Sequence, residues 1–248
     1  MSAATCIFLP GIIMPASLRY AALFSELSGS GVQTLAKELE VYTPDAPASD
    51  YTIGVEVEGL ARFASEHAGQ RVHLYGHSGG GAVALAFVAA YPERVLTLAL
   101  DEPATDFSDE DRADPNWQEV ERAQALPPDQ AIPAFLRAQL APGVIPPPQP
   151  GGPPPPWMQK RPRGIAAFAS ASRRHQISPE RYRTYHGRVL YTYGSLSNPR
   201  WERMRRRLAG SFADFRAERF AGLHHLNTSH QAEPARVAAL LRAHWSVS

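Results

Sequence analysis

Cysteine is almost missing from this 248-residue chain, Cys6 being its only one. A disulfide framework is therefore excluded. Cys6 lies in an apolar run and reads as a small core residue rather than a nucleophile. No uninterrupted apolar run approaches the ~18 residues that would span a bilayer. No basic stretch leads into an apolar one at the amino end, so the expectation is a soluble, cytoplasmic chain with no membrane partner. Charge of one sign is lacking too. The 25 basic and 24 acidic residues nearly cancel, and no broad basic face points to nucleic acid. The local run Arg203 to Arg207 reads as the solvated side of a surface helix. Metal-ligand spacings and a phosphate loop are likewise absent, so no metal or other cofactor is expected.

What remains is ample apolar material, at 44% of residues, enough for one sizeable core with room for an inserted subdomain. Thr5 to Leu9 is a short apolar strand ending in Pro10-Gly11. Helical spacing covers Leu18 to Leu27 and Tyr51 to His67, each stopped by a glycine, and Val32 to Tyr42 holds a short strand. Arg71 to Tyr75 and Arg94 to Leu100 read as buried strands on either side of a helix at Gly79 to Ala90. This alternation predicts a mostly parallel, doubly wound sheet covered by helices on both faces.

The alternation breaks over residues 103–185, where Pro142 to Pro156 is too rich in proline for regular helix or interior strand. Short helical patterns at Asn116 to Ala125 and Ile132 to Leu140 flank it. The block reads as an inserted, Pro-rich helical lid, with residues 1–102 and 186–248 forming the core. Alternation resumes with a strand at Arg188 to Tyr193, a basic helix at about Pro199 to Ala209, a strand at Phe212 to Phe220 and a closing amphipathic helix at Glu233 to Trp245.

The densest signal is Gly76-His77-Ser78-Gly79-Gly80, between an apolar strand and a small-residue helix. A G-x-S-x-G turn of this tightness leaves no room for side chains two positions either side of the serine, whose hydroxyl is raised above the sheet edge. The amide of Gly79 lies at the helix N-terminus, where developing negative charge is favoured. Such a serine needs a base to take its proton and a group to orient that base. Nine histidines are available; His224, His225 and His230 follow the last strand and His244 lies in the final helix. His77 reads as a packing residue at the elbow and His73 as a satisfied core histidine.

Leu9-Pro10-Gly11, the elbow, Pro92-Glu93-Arg94-Val95 and Gly222-Leu223-His224-His225-Leu226 occur in an order that resembles the alpha/beta-hydrolase superfamily, here with a reduced N-terminus. The likeness covers nearly the whole chain outside 103–185. It implies Ser78 as nucleophile and His225 as base, with His224 the alternate. It implies oxyanion donors at the amides of Gly79 and Ile12, with Ile13 next. The acid departs from the commonest arrangement, since Gly194 to Pro199 contains no carboxylate and Asn198 could orient a histidine only without charge. A variation within the superfamily moves the acid to the end of the strand after the elbow helix, which implies Glu102 and leaves Asp101 open. The resemblance further implies a small-molecule, ester-like substrate cleaved through an acyl-enzyme, without a cofactor. A C–C bond hydrolase, a cofactor-free perhydrolase and a non-catalytic binding protein stand as alternatives. Phe107, Trp117, Phe135, Trp157, Met158 and Phe168 of the inserted block suit an apolar group or the block's own small core. Arg161, Arg163, Arg173 and Arg174 read as solvated surface, with an anionic substrate as the other reading.

Overall fold

Side-chain alternation decides how the fold is layered. Every residue of β1 (Thr5–Leu9) is buried; Cys6 and Phe8 pack into one core while Ile7 and Leu9 pack into another. A strand buried on both faces belongs inside a sheet covered on both sides. The computed structural model describes residues 4–43, 47–105, 113, 115–148 and 152–246. Within them β1 is joined by β2 (Gln33–Ala36), β3 (Val72–His77), β4 (Val95–Asp101), β5 (Arg188–Gly194) and β6 (Phe215–Phe220). The strands are parallel and run in the order β2-β1-β3-β4-β5-β6.

The helices are α1 (Ala16–Arg19), α2 (Ala21–Leu27), α3 (Ile53–His67) and α4 (Gly79–Ala90). Between β4 and β5 lie α5 (Pro115–Gln124), α6 (Pro128–Arg137) and α7 (Arg161–Arg174). Then come α8 (Arg200–Ser211), α9 (Ser229–Ala232) and α10 (Pro234–Trp245). Leu23 of α2 and Val237 and Leu241 of α10 cover the Cys6/Phe8 face; α3, α4 and α8 cover the other. Residues 79–89 of α4 are all buried, as befits a helix apolar on every side. None of the described helices is long and apolar enough to cross a membrane.

Local deviations from the sequence expectation have identifiable causes. The helix expected over Leu18 to Leu27 starts earlier and breaks at Tyr20 (φ −103°, ψ 5°), whose buried hydroxyl donates to the Leu9 carbonyl at 2.5 Å. The mixed stretch from Val32 to Tyr42 divides into β2 and a 3-10 turn at Glu40–Tyr42. The buried Glu56 carboxylate accepts from the Glu40 and Val41 amides of that turn at 2.8 and 2.9 Å. β6 begins at Phe215 rather than Phe212, because Phe212 caps α8 and is buried in the core. Arg161 is not solvated surface. It is 3% exposed, lies over the Tyr42 ring at 3.7 Å and pairs with Glu38 at 3.3 Å, fastening α7 to the 3-10 turn. Arg163 and Arg174 are exposed, as expected.

Leu241 is fully buried between α10 and the sheet. Leu241→Ala is expected to cost about 2–5 kcal/mol, seen as a lower urea midpoint with the m-value retained. An unchanged midpoint would show that α10 is not packed in this way.

Candidate active site

The order of the sheet reverses between β1 and β3. Open α/β sheets form a crevice at the carboxyl ends of strands at such a point. Two loops meet there, the one after β1 and the elbow after β3. Ser78 is held at φ +50°, ψ −118°, a left-handed conformation costly for a residue with a side chain. A β-carbon on Gly76 would lie 2.6 Å from the Gly80 carbonyl oxygen, and one on Gly80 would lie 2.4 Å from that of Leu9. Both glycines are thus required by backbone approach. Hydrogen bonds hold the elbow in place: Ser78 N–H donates to the Asp101 carbonyl at 3.0 Å, Gly80 N–H to Pro10 at 2.9 Å, and Ala104 N–H to Ser78 at 2.8 Å.

Ser78, His225 and Glu102 come together. His225 Nε2 lies 3.0 Å from Ser78 Oγ, and His225 Nδ1 lies 2.7 Å from Glu102 Oε2. The other Glu102 oxygen accepts from Gly194 N–H at 2.8 Å. All three residues are buried. Burial, and then the neighbouring Asp101 carboxylate, push the Glu102 carboxyl up to about 8. Burial, followed by the cations Arg200 and Arg19, holds the His225 imidazole well below its ordinary value. His225 therefore rests neutral, with a nitrogen facing the serine. At 2.7 Å the imidazole and carboxyl interact strongly, so their titrations belong to the pair rather than to either residue.

Asp101 does not reach His225. It faces the same side of the sheet as Ala99, against the α2/α10 layer. There its Oδ2 accepts from His230 Nδ1 at 2.7 Å and from the Tyr75 and Ser229 hydroxyls at 3.2 Å each. Its Oδ1 accepts from Thr192 at 3.0 Å. Burial pushes this carboxyl up, but hydrogen bonds from His230 and His77 outweigh it and keep Asp101 ionised. His224 sits in a turn, where its Nδ1 accepts from Asn227 N–H at 3.1 Å. His73 is buried and bonded to Thr97 at 2.9 Å.

Ile12 and Gly79 are neighbours, a β-carbon on Gly79 meeting Ile12 Cγ2 at 2.5 Å. The Ile12 carbonyl accepts from Tyr42 Oη at 2.5 Å, which fixes the Ile12–Ile13 peptide plane. Among the described residues the Ile12 and Ile13 amides have no backbone acceptor. A cavity of ≈ 310 Å³ opens over Ser78 and His225, walled in part by Phe135 and Met158 from the segment between β4 and β5. On the Gly79 side is a recess of ≈ 40 Å³ lined by Phe168, Ala169 and Ala104. Trp157 packs near Arg161 instead, at 5.7 Å; Phe107 lies outside the described residues.

His77, Asp101 and His230 present ligand atoms within 4.8 Å of one another, a spacing that fits a metal ion. Both imidazoles, however, direct Nδ1 toward Asp101 and receive an Arg19 N–H on Nε2. A cation already occupies the position that their lone pairs serve.

The fold and the serine elbow together are those of the α/β-hydrolase class. Residues 6–240 match the model of the alpha/beta hydrolase family, and the chain belongs to that family. A 96-residue stretch is 38% identical to the lipase LipV of Mycobacterium tuberculosis, covering 39% of this chain and 35% of that protein. The chain thus matches about a third of that relative's length. Similar solved structures include a hydrolase from Pseudomonas aeruginosa (TM-score 0.73, 16% identity, 98% of this chain and 90% of that one). Naproxen esterase from Bacillus subtilis is another (TM-score 0.65, 16% identity, 98% and 84%).

Two site residues have no motif to announce them. Trp201 stacks on the His225 ring at 4.7 Å with planes 7° apart and is itself buried; in the sequence it is one apolar residue of a basic amphipathic helix. Arg19 ends α1; in the sequence it is one polar residue within the helical spacing from Leu18 to Leu27. Gly80→Ala, which sets a methyl against the Leu9 carbonyl, is expected to abolish hydrolytic activity and to lower Tm by several degrees, read by calorimetry. Trp201→Ala should leave the fold intact but lower kcat, roughly 10-fold or more if the indole holds the imidazole in line; a kcat equal to wild type would remove Trp201 from the site.

Proposed function

We propose that this protein is a serine hydrolase that cleaves carboxylic esters through an acyl-enzyme. The observation that carries this reading is the hydrogen-bonded sequence Ser78–His225–Glu102, at 3.0 and 2.7 Å, at the mouth of a mainly apolar cavity. As substrate binds, Ser78 Oγ attacks the ester carbonyl carbon while His225 Nε2 takes the hydroxyl proton. The carbonyl oxygen becomes an oxyanion, held by the amides of Gly79 and Ile12, with Ile13 as the alternate donor. Glu102 keeps His225 in the tautomer that faces the serine and stabilises the imidazolium. The tetrahedral adduct collapses, His225 gives its proton to the leaving alcohol, and an acyl-serine remains. Water then attacks that acyl group, its proton passing to His225, and the acid is released as Ser78 regains its proton.

Neutral His225 suits this role, since a base protonated at rest has no lone pair to offer. In this reading the described part of the block 103–185 is the lid over the acyl cavity. Its Phe135 and Met158 wall the larger space and Phe168 the smaller.

With a short p-nitrophenyl ester, wild type is expected to release a stoichiometric burst of nitrophenol that Ser78→Ala lacks. Absence of a burst and of turnover across several acyl lengths would defeat the reading. The two carboxylates are separable. Glu102→Gln should lower kcat by roughly 10³–10⁴. Asp101→Asn should retain turnover and move the acid limb of the pH profile to lower pH, because the Asp101 charge raises both Glu102 and His225. Equal activity in the two variants would overturn the assignment of Glu102.

A further inference from the structure

One charged side chain in the cavity has no part in the steps above. Arg19 lines the ≈ 310 Å³ space together with Ser78 and His225, and no other lining residue is a lysine, arginine, aspartate or glutamate. A guanidinium keeps its proton under all ordinary conditions, and holding it beside an apolar wall is costly unless something is gained.

The guanidinium is oriented with care but is not neutralised by contact. Its Nε donates to His230 Nε2 at 3.0 Å and its Nη2 to His77 Nε2 at 2.6 Å, with Thr228 Oγ1 at 3.5 Å. The far nitrogens of the two rings face Asp101, His230 Nδ1 at 2.7 Å from Oδ2 and His77 Nδ1 at 3.1 Å from the backbone carbonyl. Each ring is therefore set in the tautomer that offers Nε2 as acceptor. Burial keeps both neutral, His230 down to about 4. Among the described residues Arg19 forms no ion pair and its Nη1 no hydrogen bond. A cation present only to balance Asp101 would be better placed against that carboxylate directly. Here two imidazoles separate them, and Arg19 lines the cavity.

The separation from the nucleophile is short. A β-carbon on Gly11 would lie 3.3 Å from both His77 Nε2 and Ser78 Cβ, and Arg19 Nη2 is 2.6 Å beyond His77 Nε2. We propose that Arg19 determines substrate choice, and that the ester accepted by this cavity carries a carboxylate a few bonds from its scissile carbonyl. The half-ester of an aliphatic dicarboxylic acid is the chemical class that fits. Its methylenes lie along Phe135, Leu136 and Met158, and its free carboxylate accepts from Arg19 in a charge-assisted hydrogen bond. The proposal rests on the ester-hydrolase reading.

Two p-nitrophenyl esters of equal length test it: the mono-ester of adipic acid, which is anionic, and the hexanoate, which is neutral. Wild type is expected to favour the anionic ester in kcat/KM by about 10-fold or more, mainly through KM, as one charge-assisted hydrogen bond implies. Arg19→Gln should bring the ratio to one or below, and Arg19→Lys should restore part of it. A wild-type ratio near one overturns the proposal. So does a ratio unchanged in Arg19→Gln with both rates reduced alike, the mark of a purely structural arginine. Calorimetric titration of Ser78→Ala with monomethyl adipate and methyl hexanoate separates the two readings. Preferential binding of the anion, lost on adding Arg19→Gln, with no turnover of any ester by wild type, would defeat the hydrolase reading and retain Arg19 as the anion site. Turnover without anion preference would do the reverse.

Discussion

Two carboxylates on consecutive residues, Asp101 and Glu102, are each 1% exposed at the end of β4, and satisfying both orders the whole site. Buried charges need hydrogen-bond partners, and like charges this close disfavour each other's ionised form. The chain resolves this by sending them to different surroundings. Asp101 ends the strand against the α2/α10 layer, with His230, Ser229, Tyr75 and Thr192 around it. Glu102 leaves the strand at φ +48° and meets Gly194 N–H and His225. Both carboxylates are thus bound to the segment after β6, one through His225 and the other through Ser229 and His230. That segment is held at two points, which fixes the ring facing Ser78.

Ser78 and Glu102 are also the non-glycine residues with positive φ among the described ones. Strain of this kind persists only where the surroundings over-determine it. Here the surroundings are explicit: Ser78 N–H is held by the Asp101 carbonyl and Glu102 N–H by that of Thr192, while α4 packs its glycines against the backbone of β1 and β3. The strained serine and the strained glutamate are adjacent across the β3–β4 ladder, where His77 pairs with Asp101. Loosening either would release the other.

The sequence carried the parts of this arrangement that are local. G-x-S-x-G implies a close backbone approach, and the structure supplies it at Gly76 and Gly80. The apolar runs of β1, β3, β4 and β5 were legible because both faces of those strands are buried. The choice between Asp101 and Glu102 was not, since alternation says they diverge but not which side holds the histidine, and the positive φ of Glu102 leaves no sequence signature. Trp201 and Arg19 were illegible for a related reason: each acts through a contact with a residue far along the chain, His225 for one and His77 and His230 for the other. The burial of Arg161 likewise depends on Tyr42 and Glu38, over a hundred residues earlier.

Charge around His225 has to satisfy opposing needs. At rest the ring must be neutral, and burial together with Arg200 and Arg19 favours that state. In the proposed proton transfer the same ring would carry a positive charge, which those cations oppose. Glu102 at 2.7 Å supplies the nearest offset, and Asp101 acts in the same direction from further away. A carboxylate seated on Arg19 would cancel one of the opposing cations at the moment substrate is bound, so recognition and proton transfer would draw on the same electrostatic change. That coupling requires a guanidinium near the ring whose charge is not already neutralised by direct contact, and the two imidazoles between Arg19 and Asp101 meet that condition.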